Sequence, residues 1–338
     1  MNDALLWEKA DDGAVVCGLC AHRCRINPGK RGICGVRVND GGALRTYVYG
    51  RSVAVGVDPI EKKPLYHFLP SSTTYSIAAA GCNFSCDFCQ NWNISQVSKR
   101  GGGGDSYGSA LSTREIVGAA LGRGCGCISF TYTEPTVFFE YALDTAIVAR
   151  AAGLKTVFVT NGYMTPECLQ KIGPYLDACN VDLKSFREEF YKARCGASLA
   201  PVLEALKNIR AAGIWMEVTT LIIPGENDSD GELSDIAGFI VGELGDDVPW
   251  HVSKFFPQYR MSSPAPGGSS SIDSAVRIGR GAGLRYVYAG NVDYARDTLC
   301  PGCGAVAIGR RGYRTDPRGL DAAGLCRGCG MRISGIFS

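Results

Sequence analysis

The sequence predicts an α/β chain. Its centre, residues 73–295, is a partial (β/α)6-type barrel, flanked by a cysteine-containing N-terminal extension, 1–72, and a four-cysteine C-terminal module, 296–338. Three observations predict it. Between residues 74 and 289 β-rich runs alternate with helix-patterned runs, the rhythm of parallel strands joined by right-handed crossovers. Outside those limits the rhythm stops. Most of the sixteen cysteines fall in three tight groups, one in each segment.

The expected strands are 74–80, 127–133, 156–160, 179–184, 217–223, 251–256 and 285–289, each rich in β-branched or aromatic residues. Helix starts stand between them. Ser112-Thr113-Arg114-Glu115 has the form of a capping box before Ile116-Val117, and Thr165-Pro166 pairs a cap with proline in the first turn. Six or seven such units curve into a partial barrel with its site on the loops at the strands' carboxyl ends, although pattern alone leaves an open doubly wound sheet available. Residues 44–49 add a β-like stretch to the extension. The runs 101–105 and 262–269 read as solvated surface loops.

A chain of 338 residues with 46% hydrophobic residues can bury a large core. A net charge of +2 offers no global field for nucleic acid or an anionic membrane surface. The opening Met1-Asn2-Asp3-Ala4-Leu5-Leu6-Trp7-Glu8 lacks a basic stretch followed by an apolar one, and no run is long enough to span a membrane, so a cytoplasmic location is expected. With no export signal, grouped cysteines read as metal ligands rather than disulfides. The scattered Cys125, Cys127, Cys168, Cys179 and Cys195 read as small buried apolar residues.

The central group carries the chemistry. Gly81-Cys82-Asn83-Phe84-Ser85-Cys86-Asp87-Phe88-Cys89 puts three thiolates on one short loop, enough to hold three irons of a [4Fe–4S] cube and leave the fourth open. Zinc takes four closed ligands, usually as two C-x2-C pairs, which this loop does not offer. The C-x3-C-x2-C spacing, with the aromatic Phe88 before the last cysteine, resembles the signature of radical S-adenosylmethionine (SAM) enzymes. The resemblance implies that Cys82, Cys86 and Cys89 are the catalytic cluster ligands and that Phe88 lies against the cofactor. It also implies that SAM chelates the open iron and is cleaved reductively to a 5′-deoxyadenosyl radical, which takes a hydrogen from an unidentified substrate. The cofactor performs the difficult step and the protein orients and protects it.

Strand ends supply the expected SAM contacts. Phe130-Thr131-Tyr132-Thr133-Glu134-Pro135 sets Thr133 and Glu134 where the superfamily's Gly-Gly-Glu motif binds the SAM ammonium, and a carboxylate suits that cation. The structural alternative is a helix start with Glu134 at the cap. Phe158-Val159-Thr160-Asn161-Gly162 and Val181-Asp182-Leu183-Lys184 close the next strands, with Asp182 and Lys184 on one side because strand side chains alternate. These runs resemble pyruvate formate-lyase activating enzymes, which implies SAM contacts at Thr160, Asn161, Asp182 and Lys184. Val159 departs from that pattern, standing where the activases carry an aspartate of a cation site. Tyr259 takes the place of an activase histidine near SAM.

A resemblance across nearly the whole chain is to AmmeMemoRadiSam-system radical SAM proteins. It is carried by Cys17-Gly18-Leu19-Cys20-Ala21-His22-Arg23-Cys24, Gly32-Ile33-Cys34-Gly35-Val36-Arg37, 58–70, 82–92, Thr131-Tyr132-Thr133-Glu134-Pro135-Thr136 and the terminal C-x2-C pairs. It implies the fold, the cluster and SAM use. By its name it also implies association with Memo-like and Ammecr-like proteins, and such enzymes draw on an electron donor such as flavodoxin or ferredoxin.

At the C-terminus two C-x2-C-Gly knuckles, Cys300 with Cys303 and Cys326 with Cys329, can close a tetrahedron around zinc. The amino-terminal quartet Cys17, Cys20, Cys24 and Cys34 is less regular, and its metal stays unassigned between zinc and a second cluster. Of the three histidines, His251 reads either as a proton donor to substrate or as a hydrogen-bonded structural group. The competing class is a zinc-binding nucleic-acid or protein interaction module without catalysis, drawing on the basic run Arg310-Arg311-Gly312-Tyr313-Arg314.

Overall fold

Seven runs of β-branched and aromatic residues pair as parallel strands: β2 (Thr73–Ala78), β3 (Cys127–Phe130), β4 (Lys155–Thr160), β5 (Ala178–Asp182), β6 (Trp215–Ile222), β7 (Trp250–Lys254) and β8 (Val287–Gly290). The computed structural model describes residues 1–100, 107–263 and 270–338; apart from Ser262 and Ser263, the two runs read as surface loops lie outside the described residues. Six crossovers carry α1 (Thr113–Gly122), α2 (Phe139–Ala151), α3 (Pro166–Ile172), α4 (Leu199–Ala211), α5 (Asp230–Phe239) and α6 (Ser270–Gly281). The seven parallel strands stand side by side in sequence order. A doubly wound sheet needs a point where that order reverses, and none exists among them, so the topology is that of the partial barrel.

β1 (Ala54–Pro59) joins the sheet antiparallel to β2, pairing Ala54 with Ala78 and Pro59 with Thr73. The segment read as a separate extension thus completes one edge of the sheet. Its earlier part forms two small antiparallel sheets, one from Asn2–Asp3, Ala43–Thr46 and Arg37–Asp40 and the other from Trp7–Lys9, Val15–Cys17 and Arg25–Ile26.

The helix starts are as their residues predict. Ser112 Oγ accepts from Glu115 N at 3.3 Å while Glu115 Oε2 accepts from Ser112 N at 2.7 Å, a reciprocal cap. Thr165 caps α3 with Pro166 in its first turn. One strand face, including Ile77, Phe130, Phe158, Val181, Val218 and Val252, packs with Ile116, Ala146, Leu169, Leu206 and Ile236 of the helices in one core. The other face carries an apolar patch (Cys127, Val157, Ala178, Trp215) and a set of polar groups. Ser76, Ser129, Asn180, Asp182, Glu217, Thr219, His251 and Tyr288 alternate with the core positions, leaving hydrogen-bonding groups on the side the helices do not cover.

The floor of that face is closed by a buried network. Glu217 accepts from Tyr66 N at 2.9 Å, His67 N at 2.7 Å, Trp215 Nε1 at 3.1 Å and His251 Nε2 at 2.6 Å. His251 is therefore the structural group of the two readings, near the start of its strand and away from the loops at the carboxyl ends. Leu65 and Phe68 pack across β3 to β6, on Cys127, Val157, Ala178 and Trp215. The C-terminal residues clasp the same segment: Arg310 Nη2 donates to Tyr66 O at 2.6 Å, and Ile336 N donates to His67 O at 2.8 Å.

His67 is fully buried between Ser334 O and the Tyr288 hydroxyl, and burial pushes its pKa down to about 4 from 6.5. A histidine lowered in the folded state adds stability that is complete above pH 6.5 and is lost as pH falls toward 4, because only the unfolded chain then takes the proton. The expected slope is up to about 1.4 kcal/mol per pH unit. Urea unfolding at pH 7 and pH 5 should show His67→Gln with a smaller pH dependence than the wild type; equal slopes would remove His67 from the account.

Candidate active site

β2 ends at Ala78, and the chain turns into the three-cysteine loop at Gly81, whose φ is +101°. A Cβ there would lie 2.8 Å from Val36 Cγ1, so both conformation and space require glycine. The loop is stapled on several sides. Ser85 N donates to Cys195 O at 2.8 Å and Asp87 N to Arg194 O at 2.9 Å, while Arg260 N and Met261 N both donate to Asp87 O. Lys99 Nζ reaches in to Phe84 O at 2.7 Å and Ser85 Oγ at 2.8 Å. Burial lowers the Lys99 pKa, with the Cys82 sulfur opposing it.

Donors also meet the sulfurs. Phe84 N points at Cys82 Sγ from 3.3 Å and Asn161 Nδ2 from 3.9 Å, and Ser95 Oγ lies 3.3 Å from Cys89 Sγ. A hydrogen bond with Cys195, together with burial, pushes the Cys86 thiol well up; burial does the same to Cys82 and Cys89. These are thiols until a metal displaces their protons.

Glu134 organises the neighbouring strand ends. It is buried at the N-cap of the turn Pro135–Phe138. Its Oε1 accepts from Thr136 N at 3.0 Å, Thr136 Oγ1 at 2.6 Å and Thr160 Oγ1 at 2.8 Å, and its Oε2 accepts from Asn161 N at 2.8 Å. Oε1 thus serves three donors of the chain and Oε2 one. Burial raises the carboxyl pKa, with those donors opposing. Asn161 then carries the arrangement to the loop, donating from Nδ2 to Asn83 Oδ1 at 2.8 Å. Thr133 Oγ1 donates to Ala79 O at 2.7 Å, tying this turn to the lead-in of the cysteine loop.

On the other flank Lys184 Nζ donates to Asp182 Oδ2 at 2.7 Å and lies 5.9 Å above the Phe88 ring, which packs on Phe190. Burial works against the charge on Lys184, but Asp182 and the Cys86 and Cys195 sulfurs together outweigh it and the pKa is raised. Tyr259 stacks on Trp92 with ring centres 5.3 Å apart, just past Cys89.

Three parts of the site carried no signal that identified them. Cys195, read as a buried apolar residue, is buried but bonds to Cys86 from the end of the π-turn Tyr191–Cys195. Lys99 stands beyond the motif. Asp58 accepts from Lys62, Lys63, Ser76 and the Tyr132 hydroxyl, the last at 2.5 Å, and Tyr132 stands at φ +63° two residues before Glu134.

The other two cysteine groups differ in spacing. Cys300, Cys303, Cys326 and Cys329 hold their sulfurs within 4.8 Å of one another. Cys17, Cys20, Cys24 and Cys34 line a common cavity instead.

The family description "Radical SAM superfamily" matches residues 76–236, the span of the triad, Glu134, Asn161 and Lys184. An uncharacterized protein of Methanocaldococcus jannaschii is 40% identical over 336 residues, covering 98% of this chain and 99% of that protein. The chain belongs to the radical SAM superfamily. An isethionate sulfite-lyase activating enzyme of Nitratidesulfovibrio vulgaris is 26% identical, over 60% of this chain and 67% of its own length. A radical SAM methyltransferase structure from Sphaerobacter thermophilus shares the fold at a TM-score of 0.51 and 17% identity, over 70% of this chain and 71% of that one. As a radical SAM enzyme the chain uses a [4Fe–4S] cluster and SAM, which overturns the reading of it as an interaction module without catalysis. Among the described residues no helix is long and apolar enough to cross a membrane.

Proposed function

We propose that Cys82, Cys86 and Cys89 hold three irons of the [4Fe–4S] cluster and that SAM binds its open iron among the strand-end groups. The observation that carries this reading is the hydrogen-bonded line from Glu134 through Asn161 to Asn83 and Cys82, which ties two strand ends to the sulfur loop. The donor set fits thiolate ligands: N–H and O–H groups already face Cys82 and Cys89. Bound there, the cluster supplies the electron that cleaves SAM to methionine and a 5′-deoxyadenosyl radical able to take a hydrogen from substrate.

The chain's own residues position and shield. Thr133, Thr160 and Asn161 offer polar groups to SAM, with Glu134 fixing their geometry from behind. The charged pair Asp182 and Lys184 suits the SAM carboxylate and ribose hydroxyls. Phe88 and Tyr259 supply flat apolar surface at the loop's two sides. We read the enzyme as activase-like with an unidentified substrate, reduced by a flavodoxin or ferredoxin type donor in the cytoplasm. We also read it as the radical SAM member of the AmmeMemoRadiSam system, acting alongside Memo-like and Ammecr-like proteins. Anaerobic reconstitution with iron and sulfide, then a strong one-electron reductant and SAM, should release 5′-deoxyadenosine. Intact SAM beside a fully assembled cluster would overturn the reading.

The C-terminal quartet is proposed to hold zinc. Cys300 Sγ lies 3.6 Å from Cys329 Sγ and Cys303 Sγ 3.7 Å from Cys326 Sγ, close to the ~3.8 Å edge of a tetrahedron with zinc–sulfur bonds of about 2.3 Å. Deleting the tail would also break the clasp on Tyr66 and His67, so point changes test this better. Cys303→Ser with Cys329→Ser, both exposed positions, should lose one zinc per chain with iron unchanged; loss of iron in that variant would make the module an iron site.

A further inference from the structure

We propose that Cys17, Cys20, Cys24 and Cys34 bind a second [4Fe–4S] cluster, all four of whose irons are held by the chain. All four are free thiols. Sulfur spacing is the first reason. The C-terminal quartet draws its sulfurs within 4.8 Å of one another, whereas among the described residues no three of the amino-terminal four do so, nor do Cys82, Cys86 and Cys89. A cube carries its thiolates at separate corners and needs them farther apart than a single tetrahedral zinc does. The amino-terminal quartet is thus not drawn together as the C-terminal one is.

The second reason is convergence. The four cysteines line one common cavity of about 20 Å³, so the fold brings all four thiols to a single site.

Unpartnered donors are the third. Arg37, on the cavity wall and 1% exposed, spends Nη2 on Glu140 Oε1 at 2.8 Å and on Leu5 O, but its Nε and Nη1 meet no acceptor. Asn83, on the same wall and equally buried, leaves Nδ2 without an acceptor. Stranding buried N–H groups is costly, more so on a cation. Four thiolates around a cube give a net anion whose sulfurs accept hydrogen bonds, which answers both residues at once.

The site adjoins the radical loop. His22, also on the wall, pairs its Nε2 with Asn83 O at 2.9 Å, and Asn83 Oδ1 lies 3.8 Å from Cys82 Sγ. Yet its ligands are separate, and the inference stands without the SAM reading.

The test uses the full chain with Cys82, Cys86 and Cys89 all changed to alanine, reconstituted anaerobically beside the wild type. The wild type should carry about eight irons and the variant about four irons with four sulfides, giving a reduced-state electron paramagnetic resonance signal that SAM does not alter. An iron-free variant, or one holding a second zinc, overturns the inference. Cys24→Ser with Cys34→Ser in the otherwise natural chain should lose about four irons and keep the signal that SAM perturbs. Should this pair fail to fold, the triad variant decides alone. If instead all of the wild-type iron survives loss of the triad, the radical-cluster assignment fails while the second site stands.

Discussion

Alanine at any one of Cys82, Cys86 or Cys89 should reduce 5′-deoxyadenosine formation by at least about 10³-fold, more than ~4 kcal/mol of barrier. Each sulfur has its own setting and cannot be replaced by a neighbour. Cys82 faces the Phe84 N–H, Cys89 faces Ser95 Oγ, and Cys86 is buried against Cys195. Cys195 is the nearest spare thiol, but it is fully buried and its backbone already holds Ser85, so moving it onto the cluster would tear the loop's own staple. Iron content, sulfide content and product formation should fall together in all three variants. Full turnover in any of them would remove that cysteine from the ligand set, whereas Ser95→Ala, which deletes one donor and no ligand, should cost about tenfold or less.

The strand cores were legible because these strands are buried on both faces and read as near-continuous runs of β-branched, aromatic and apolar residues. Their ends were less so. The run 127–133 stops pairing at Phe130, and Tyr132, whose hydroxyl donates to Asp58 of a distant segment, takes a left-handed backbone. β1 escaped notice since Gly56, Asp58 and Pro59 dilute its β signature and its outward Val55 and Val57 are exposed. Motif spacing marks the sulfur loop, because three cysteines within eight residues are a local property. Partners that arrive from elsewhere, such as Lys99, Cys195 and the floor network around Glu217, depend on the folded chain and leave no local trace. Glu134 lies between these cases: its position at a strand end was visible, but the donors that occupy it come from two segments.

Glu134→Ala should lower both stability and turnover while leaving the sulfur ligands in place. The change strands Thr160 Oγ1, Asn161 N and the two Thr136 donors, and unsatisfied buried groups cost about 1–3 kcal/mol each, so a loss of at least about 3 kcal/mol is expected by urea unfolding. Asn161 would then drift from Asn83 and Cys82, and a displacement near 1 Å at a reacting centre costs roughly 10²-fold in rate. Glu134→Gln separates the two effects. It keeps one acceptor oxygen and the packing, so it should recover most of the stability, but its NH2 meets donors where the carboxylate met partners, and SAM affinity and turnover should stay low. The iron content of both variants should match the wild type. Unchanged SAM affinity and turnover in Glu134→Gln would confine Glu134 to capping the turn Pro135–Phe138 and leave Asn161 to be fixed by Asn83 alone.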